Sequence, residues 1–534
     1  MGTYVNPGND GFKRILAGEY VDKTGLIALV NGKIGTCDSL VCSTRPRRFG
    51  KTFAAESLVA YYSCGCDSSE LFEGLAISRD PSFGEHLNVY NVVRLDMMEF
   101  RDIADVAHAV EEAILSDIEE ALPGVGAKRE GRTDRLCGAL ADFVDATGRK
   151  FVFVIDEWDV PLRERRDKKS QEDWVYFLRL LFKNANFTPK VVAACYMTGI
   201  LPIMRLGTQS SLNNFWEYTF LDPGPCAPYV GFTEAEVEAL AARHHMDMAE
   251  LRRLYDGYEF PWFDKAAGEH KVEGIYAPFS VMCACDNRQA DSYWVDSEPL
   301  GSLLSYVDMD FDGLRQAIVQ VVGGASVRVN TCTFGNDMHD VRSADNVLTL
   351  LCHLGYLNYL DVDSYMGKAR VPNEEIRSEL RNALSQSRHA EVARIVRESG
   401  ALLRATLDMG EDAVSEAMAH AHDWGCVPTY YNDEQSLRAV VRAAYIAAED
   451  RYASVCELPS GRGVADVVYL PKPDDPYPVL VVELRWDKKP DSAIERILDK
   501  DYPEVLWDWR GPILLAGITY DNKTKEHSCR IVEA

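Results

Sequence analysis

Over roughly residues 1–300, short apolar runs alternate with stretches whose apolar residues recur every three or four positions. SLVCS (39–43), YNVVRLDM (90–97), FVFVIDE (151–157) and KVVAACYMTG (190–199) read as buried strands. Between the second and third, DIADVAHAVEEAILSDIEEAL (102–122) carries Ala, Val, Ile and Leu at helical spacing. Strands separated by helices of this kind predict an α/β fold with a parallel sheet. From about 300 to 375 the pieces shorten. SADNVLTLLCHLGYLNYL (343–360), an extended segment and PNEEIRSEL (372–380) predict a helical or winged-helix-like module, and 381 to about 430 reads as mostly helical. A second α/β pattern begins near Tyr430, with strands expected at ADVVYLP (465–471), YPVLVVELRW (477–486) and GPILLAGITY (511–520). Three domains are therefore expected, at 1–300, 301–430 and 431–534, without internal repeats or low-complexity tracts.

Composition adds limits. The 534 residues exceed one hydrophobic core, and 47% apolar with 26% charged residues is ordinary for globular protein. No run reaches the ~18 uncharged apolar residues of a membrane span. The N-terminus lacks the pattern of a secretory signal, so a cytoplasmic chain without membrane partners is expected. The 14 cysteines include C-x-C pairs at Cys64/Cys66 and Cys283/Cys285, but not the second pair that zinc sites use, and they read as reduced thiols. The net charge of −26 is more informative. Its average field repels nucleic acid, so any such contact needs a local basic patch, a metal ion or a partner.

Chemistry first surfaces where the strand SLVCS runs into TRPRRFGKTFAAESL, with Gly50-Lys51-Thr52 at the strand-to-helix junction. A phosphate loop needs backbone N–H groups around the phosphates, a lysine on the β and γ phosphates and a hydroxyl on Mg²⁺. Lys51 and Thr52 supply the last two, and the helix N-terminus favours the anion. The glycine that opens G-x-x-x-x-G-K-[ST] is here Arg45. About a hundred residues on, FVFVIDEWD ends an apolar strand in two carboxylates. Asp156 suits the second protein ligand of that Mg²⁺, and Glu157 the group that polarises the attacking water. Thr198 ends the strand in YMTGI, either facing the γ-phosphate or capping the next turn. Arg47 and Arg48 either steady phosphate charge or pair with acids, and Asp96 either joins this site or caps a helix. Arg205 is a candidate arginine finger.

These segments resemble the bacterial AAA-ATPase-like proteins that carry a C-terminal nuclease domain of the PD-(D/E)xK superfamily. The matching stretches include YVDKTGLI (20–27), RPRRFGKT (45–52), VIDEWDVP (154–161), MTGILPI (197–203), YVGFTEAEV (229–237), YDGYEF (255–260), IYAPFSV (275–281), LLCHLGYLNYL (350–360), VPNEEIR (371–377), GRGVADVVYLP (461–471), VVELRW (481–486) and LLAGITYD (514–521). Arg at position 45 is usual for that group. The resemblance implies a P-loop ATPase domain, a lid and a restriction-endonuclease-like α/β domain, with ATP and Mg²⁺ as ligands. It suggests roles in defence or mobile elements, and assembly into a homo-oligomer or with a protein partner.

In the C-terminal part, Asp466 and Glu483 lie on two consecutive strands and would share a metal ion that activates water for phosphodiester cleavage. Residue 485 shares the strand face of Glu483, because side chains alternate. The superfamily has lysine there; this chain has Arg485, which stays protonated and accepts a proton poorly, although its fork can hold phosphate. Lys488 or Lys489 from the next turn, and Glu457 from a preceding helix or turn, are further candidates. Lys500 and Tyr502 fit the superfamily pattern, while Arg496 replaces a common glutamine. Two readings follow: an ATP-driven protein whose C-terminal domain cuts nucleic acid, or a nucleotide-dependent regulatory protein whose nuclease-like domain is inactive.

Overall fold

A computed structural model describes residues 2–125, 135–164, 167–203, 205–206, 209–210, 212–264, 268–294, 311, 313–338, 341–363, 366–386, 390–425, 441, 444–445, 448, 452–460, 463–471, 477–486, 490–499, 511–521, 523–524 and 526–534. Two compact units emerge: Met1–Trp294 with Val329–Glu375, and Val295–Arg328 with Ile376–Ala534.

The first unit is built on a parallel sheet. Its strands are β1 (Leu40–Thr44), β2 (Asn91–Asp96), β3 (Phe151–Asp156), β4 (Val192–Gly199) and β5 (Trp216–Tyr218), in the spatial order β2-β3-β4-β1-β5. The four expected strands all form. Every residue of β1, β3 and β4 is buried, which explains their unbroken apolar runs: a parallel sheet is covered on both faces. Alternation sorts their side chains. Phe151, Phe153 and Ile155 face the helices Val106–Ala121, Arg135–Thr147 and Lys168–Phe182, through Val110, Ile114, Leu140 and Trp174. Val152 and Val154 face the helix α1 (Lys51–Tyr62), through Leu58 and Val59. Each such side chain, removed from water, stabilises the unit by about 1.5–3 kcal/mol.

The chain returns over the C-terminal edge of this sheet. The helix Glu234–His244 opens with a capping box between Thr233 and Glu236 and packs with Pro278–Asn287. The antiparallel hairpin Tyr258–Asp264/Glu269–Tyr276 lies between them in sequence. Further along, the helix Ala344–His353 precedes a second hairpin, Asn358–Asp363/Met366–Arg370. The chain leaves this unit after Trp294 and again after Glu375. The buried Glu375 carboxylate ties both points together, its Oε1 accepting from the N–H groups of Tyr293 (2.7 Å) and Trp294 (2.9 Å).

The second unit holds a mixed sheet of β6 (Tyr452–Ser460), β7 (Gly463–Pro471), β8 (Val479–Trp486), β9 (Ile513–Asp521) and β10 (Glu526–Glu533), in sequence order. Only β8 and β9 run parallel, and the helix Pro490–Asp499 makes the crossover that a parallel pair requires. Glu457 is expected on a helix or turn but sits in β6. Strand pairing explains the difference, since Cys456 and Leu458 are held opposite Val467 and Ala465. Among the described residues, no helix is long and apolar enough to cross a membrane.

Candidate functional site

The C-terminal ends of β1, β3 and β4 converge, as ligand sites on parallel sheets require. After β1, Arg48 and Gly50 take positive φ (71° and 85°), turning the loop so that α1 begins at Lys51. Gly50 meets this need without a Cβ penalty. Arg45, in the place of the first glycine, points away from the loop. It is fully buried and donates from Nη1 to the carbonyls of Thr44 (2.8 Å), Tyr218 (3.1 Å) and Thr219 (3.1 Å), and from Nη2 to Cys226 (3.4 Å). Arg45 therefore anchors the loop to β5 and the segment after it, and its guanidinium lies 5.0 Å from the Phe260 ring.

The four residues singled out in the sequence come together. The Thr52 hydroxyl donates to Asp156 Oδ2 at 2.6 Å, and Lys51 Nζ stands 3.0 Å from Glu157 Oε1 while donating to the Pro46 carbonyl at 3.1 Å. Asp156 Oδ1 accepts from the Glu157 N–H at 3.1 Å. Glu157 itself has φ 53°, a conformation a non-glycine residue holds only where its surroundings over-determine it. They do so here. Arg163 Nη2 reaches Glu157 Oε2 at 2.6 Å, and Arg163 Nε stands 2.9 Å from Asp159 Oδ2. That same oxygen accepts from the N–H groups of Ile200 (3.1 Å) and Leu201 (2.8 Å), in the loop that follows β4.

Electrostatics separates the two neighbouring carboxyls. Burial pushes Asp156 up to about 6, against the hydrogen bond from Thr52. Burial also opposes the charge of Glu157, but Lys51 and Arg163 outweigh it and hold the carboxyl below its ordinary value. Hydroxyl and carboxylate oxygens in contact, at Thr52 and Asp156, are the hard donors that Mg²⁺ prefers, and phosphate and water oxygens can complete such a shell. Among the described residues, no group of three or more His, Cys, Asp or Glu could hold a metal ion.

A cavity of about 420 Å³ opens over the loop, within the usual range for small-molecule sites. Lys51, Thr52 and Glu157 line it together with Tyr20, Val21, Phe232, Phe279 and Met282. Lys23 also lines the cavity; it pairs with Glu236, donates to the Pro228 carbonyl at 2.8 Å and lies 5.8 Å from the Phe232 ring. Arg47 and Arg48 both line the cavity. Arg47 Nη2 is 3.7 Å from Glu164, whereas Arg48 donates to the Tyr293 carbonyl at 2.6 Å and lies 4.5 Å from the Phe279 ring. Thr198 is buried behind the loop, opposite Ser43 in the β1–β4 register, and its carbonyl accepts from Trp158 N–H at 2.9 Å. Asp96 caps the following turn through Met98 N–H (3.0 Å). The Arg205 side chain lies outside the described residues.

In the second unit, Val467 pairs with Val482, so Asp466 and Glu483 are the next residues along two hydrogen-bonded antiparallel strands. Glu483 is buried and Arg485 half-buried. The side chains of Asp466 and Glu457, and residues Lys488, Lys489, Lys500 and Tyr502, lie outside what is described.

Arg163, Asp159 and the apolar lining escaped the sequence reading. Arg163 sits on a four-residue helix (Val160–Arg163) too short to show a pattern, and the lining is assembled from three distant segments.

Residues 8–208 match the AAA-ATPase-like family model, described as predicted AAA-ATPase. An uncharacterized protein in the vnfD 5′ region of Azotobacter chroococcum mcd 1 is 25% identical over 405 residues, 73% of this chain and 72% of that protein. Among solved structures, the Walker-type ATPase PABY2304 of Pyrococcus abyssi is 11% identical, covering 67% of this chain and 94% of its own, with a TM-score of 0.35. The ORC2 protein of Aeropyrum pernix, in ADPNP-ADP complexes, is 11% identical and covers 72% and 97%, with a TM-score of 0.33. The family-model match over residues 8–208 makes the N-terminal part similar to predicted AAA-ATPases, and this similarity supports ATP binding.

Proposed function

We propose that the chain is a magnesium-dependent ATPase whose C-terminal domain is nuclease-like and acts on nucleic acid. The observation that carries the ATPase half is one constellation: Thr52 on Asp156 at 2.6 Å and Lys51 on Glu157 at 3.0 Å, beside a cavity that Lys51, Thr52 and Glu157 line together with apolar side chains. The base enters between Tyr20, Phe232 and Phe279, and the phosphates lie along the loop, where backbone N–H groups and the start of α1 favour negative charge. Lys51 turns to the β and γ phosphates. Thr52 and Asp156 hold Mg²⁺, which neutralises charge on the phosphate oxygens when bound. Glu157 accepts the proton of the attacking water as the new O–P bond forms and the β,γ-bridging bond breaks, giving ADP and phosphate. The arginines at positions 47 and 48 steady the phosphate end of the cavity.

The nuclease-like half rests on Asp466 and Glu483 on adjacent strands, two carboxylates suited to a divalent cation, with Arg485 on the same face as Glu483. Arginine in place of lysine, on a chain of net charge −26, favours the second reading: a nucleotide-dependent regulatory protein whose acidic surface meets protein partners. Incubating the purified chain with plasmid, Mg²⁺ or Mn²⁺ and ATP decides between them. Cleavage abolished by Glu483→Ala supports the nuclease, and ATP turnover without cleavage supports the regulator. Lys51→Ala removes turnover in both cases; turnover that persists in it refutes the site.

A further inference from the structure

We infer that Arg163, anchored by Asp159, is the positioning residue of the hydrolytic step: it grips Glu157 by one carboxylate oxygen and leaves the other to face the phosphates. The inference rests on the ATPase reading above and deepens it. Glu157 meets two cations, Lys51 at Oε1 (3.0 Å) and Arg163 at Oε2 (2.6 Å). They differ in what else they can do. Lys51 sits on the phosphate loop and lines the cavity, so it can swing to a phosphate. Arg163 cannot follow. Its side chain is 4% exposed, and its Nε is held 2.9 Å from Asp159, whose side chain is wholly buried.

Asp159 is fixed in turn. Its Oδ2 takes the N–H groups of Ile200 and Leu201, and at Gly199 any Cβ would stand 2.5 Å from Asp159 Oδ1 and 2.7 Å from Trp158 Cδ1. The loop after β4 therefore closes directly onto this carboxylate, and only glycine permits the approach. The result is a rigid line from that loop through Asp159 and Arg163 to Glu157. A planar guanidinium can bridge the two carboxylates through two nitrogens held at a fixed spacing, Nη2 and Nε, which the single nitrogen of a lysine ammonium does not offer. With Oε2 so occupied, Glu157 keeps Oε1 on the cavity side after Lys51 turns away, and the unusual φ of Glu157 is held in place.

The test uses the full chain. Steady-state ATP turnover and ATP·Mg²⁺ affinity by calorimetry are measured for the unaltered protein and for Lys51→Ala, Glu157→Gln, Arg163→Met, Arg163→Lys, Asp159→Asn and the double variant Glu157→Gln/Arg163→Met. Arg163→Met is expected to lower kcat at least about tenfold while the Kd for ATP stays within about threefold, because positioning acts on the chemical step. Arg163→Lys recovers part of the loss. In the Glu157→Gln background the Arg163 change has no further effect on kcat, since the group it positions is gone. Thermal melts check folding. Where Arg163→Met does not fold, Arg163→Lys and Asp159→Asn carry the test, each expected to lower kcat with affinity retained. Unaltered kcat in the folded Arg163 variants overturns the proposal, as does a loss of affinity that matches the loss of kcat, or a full further loss in the Glu157→Gln background. Turnover equal in the unaltered chain and Lys51→Ala would instead overturn the ATPase reading itself.

Discussion

Asp156→Asn, with nucleotide and metal withheld by chelation, tests the site through stability. Burial lifts this carboxyl from 3.8 to about 6, in a side chain that is almost wholly inaccessible. At ~1.4 kcal/mol per pH unit, that gap is worth about 3 kcal/mol. The sign follows from proton binding. The folded chain binds the proton more tightly than the unfolded one, so the associated stability is complete below 3.8 and is lost as pH rises through about 6. Above pH 6 the fold therefore carries an ionised carboxylate at a cost that a neutral amide avoids. Asparagine gives up part of this gain. Asp156 accepts at both oxygens, from Thr52 and from the Glu157 N–H, and the amide keeps one acceptor while the Thr52 hydroxyl turns to accept from the new NH₂. Allowing about 1 kcal/mol for that exchange leaves a net gain of about 2 kcal/mol at pH 8, or roughly 3 °C in Tm for a unit of this size. Melting curves of both proteins at pH 4 and pH 8 provide the assay. The variant should melt higher at pH 8, the two should converge near pH 4, and Mg²⁺-dependent ATP turnover should disappear. A variant that melts lower at pH 8, or a difference that does not shrink at pH 4, would show that the Asp156 carboxyl is not strained by burial.

Other changes probe the walls. Phe279→Ala removes a ring that lines the cavity and carries Arg48 at 4.5 Å, and should raise the ATP Kd about tenfold with kcat little changed, as calorimetry and turnover would report. Gly257→Ala meets two obstacles, a φ of 115° and a Cβ 1.9 Å from the Pro372 carbonyl oxygen, and should cost more than about 3 kcal/mol in a denaturant midpoint. Glu375→Ala leaves the N–H groups of Tyr293 and Trp294 without their acceptor and should cost about 2–4 kcal/mol, whereas Glu375→Gln keeps an acceptor and should cost less.

The sheet strands that a sequence shows most plainly are those whose environment is uniform. β1, β3 and β4 are buried on both faces, so their apolar runs appear without reference to any neighbour. β5 escaped because only three residues pair and its Trp216 is half exposed, which leaves no run to see. β10 was overlooked despite its alternating burial, with His527, Cys529 and Ile531 inward, since the pattern needs a strand end to be located before its period can be counted. Spatial order was beyond reach. That β4 inserts between β1, which leads into the Lys51 loop, and β3, which bears Asp156, follows from pairing across distant segments, and the same pairing brings Gly199 against Asp159. That Lys51, Thr52, Asp156 and Glu157 come together was legible because phosphate and metal chemistry, where it is used, restricts residue types at fixed junctions. Arg163 was not, because an arginine that neutralises buried carboxylates looks, in sequence, like any arginine on an acidic chain.

The pairing of Lys51 with Glu157 also bears on affinity. Both side chains are largely shielded, at 4% and 16% exposure, so their 3.0 Å contact is weakly screened. A triphosphate that claims Lys51 must replace this partner, and part of its binding energy goes to that exchange. Glu157→Gln removes the charge but keeps the shape, leaving Lys51 with the Pro46 carbonyl and without a carboxylate. ATP should then bind more tightly, by about 1–2 kcal/mol or roughly 5–30-fold in Kd, even as turnover falls at least about a hundredfold for want of a proton acceptor. Calorimetry with ATP·Mg²⁺ against the glutamine variant reads the first quantity and phosphate release the second. Equal or weaker binding in that variant would mean that Lys51 meets phosphate without surrendering Glu157, and the two would then act as one unit throughout the cycle.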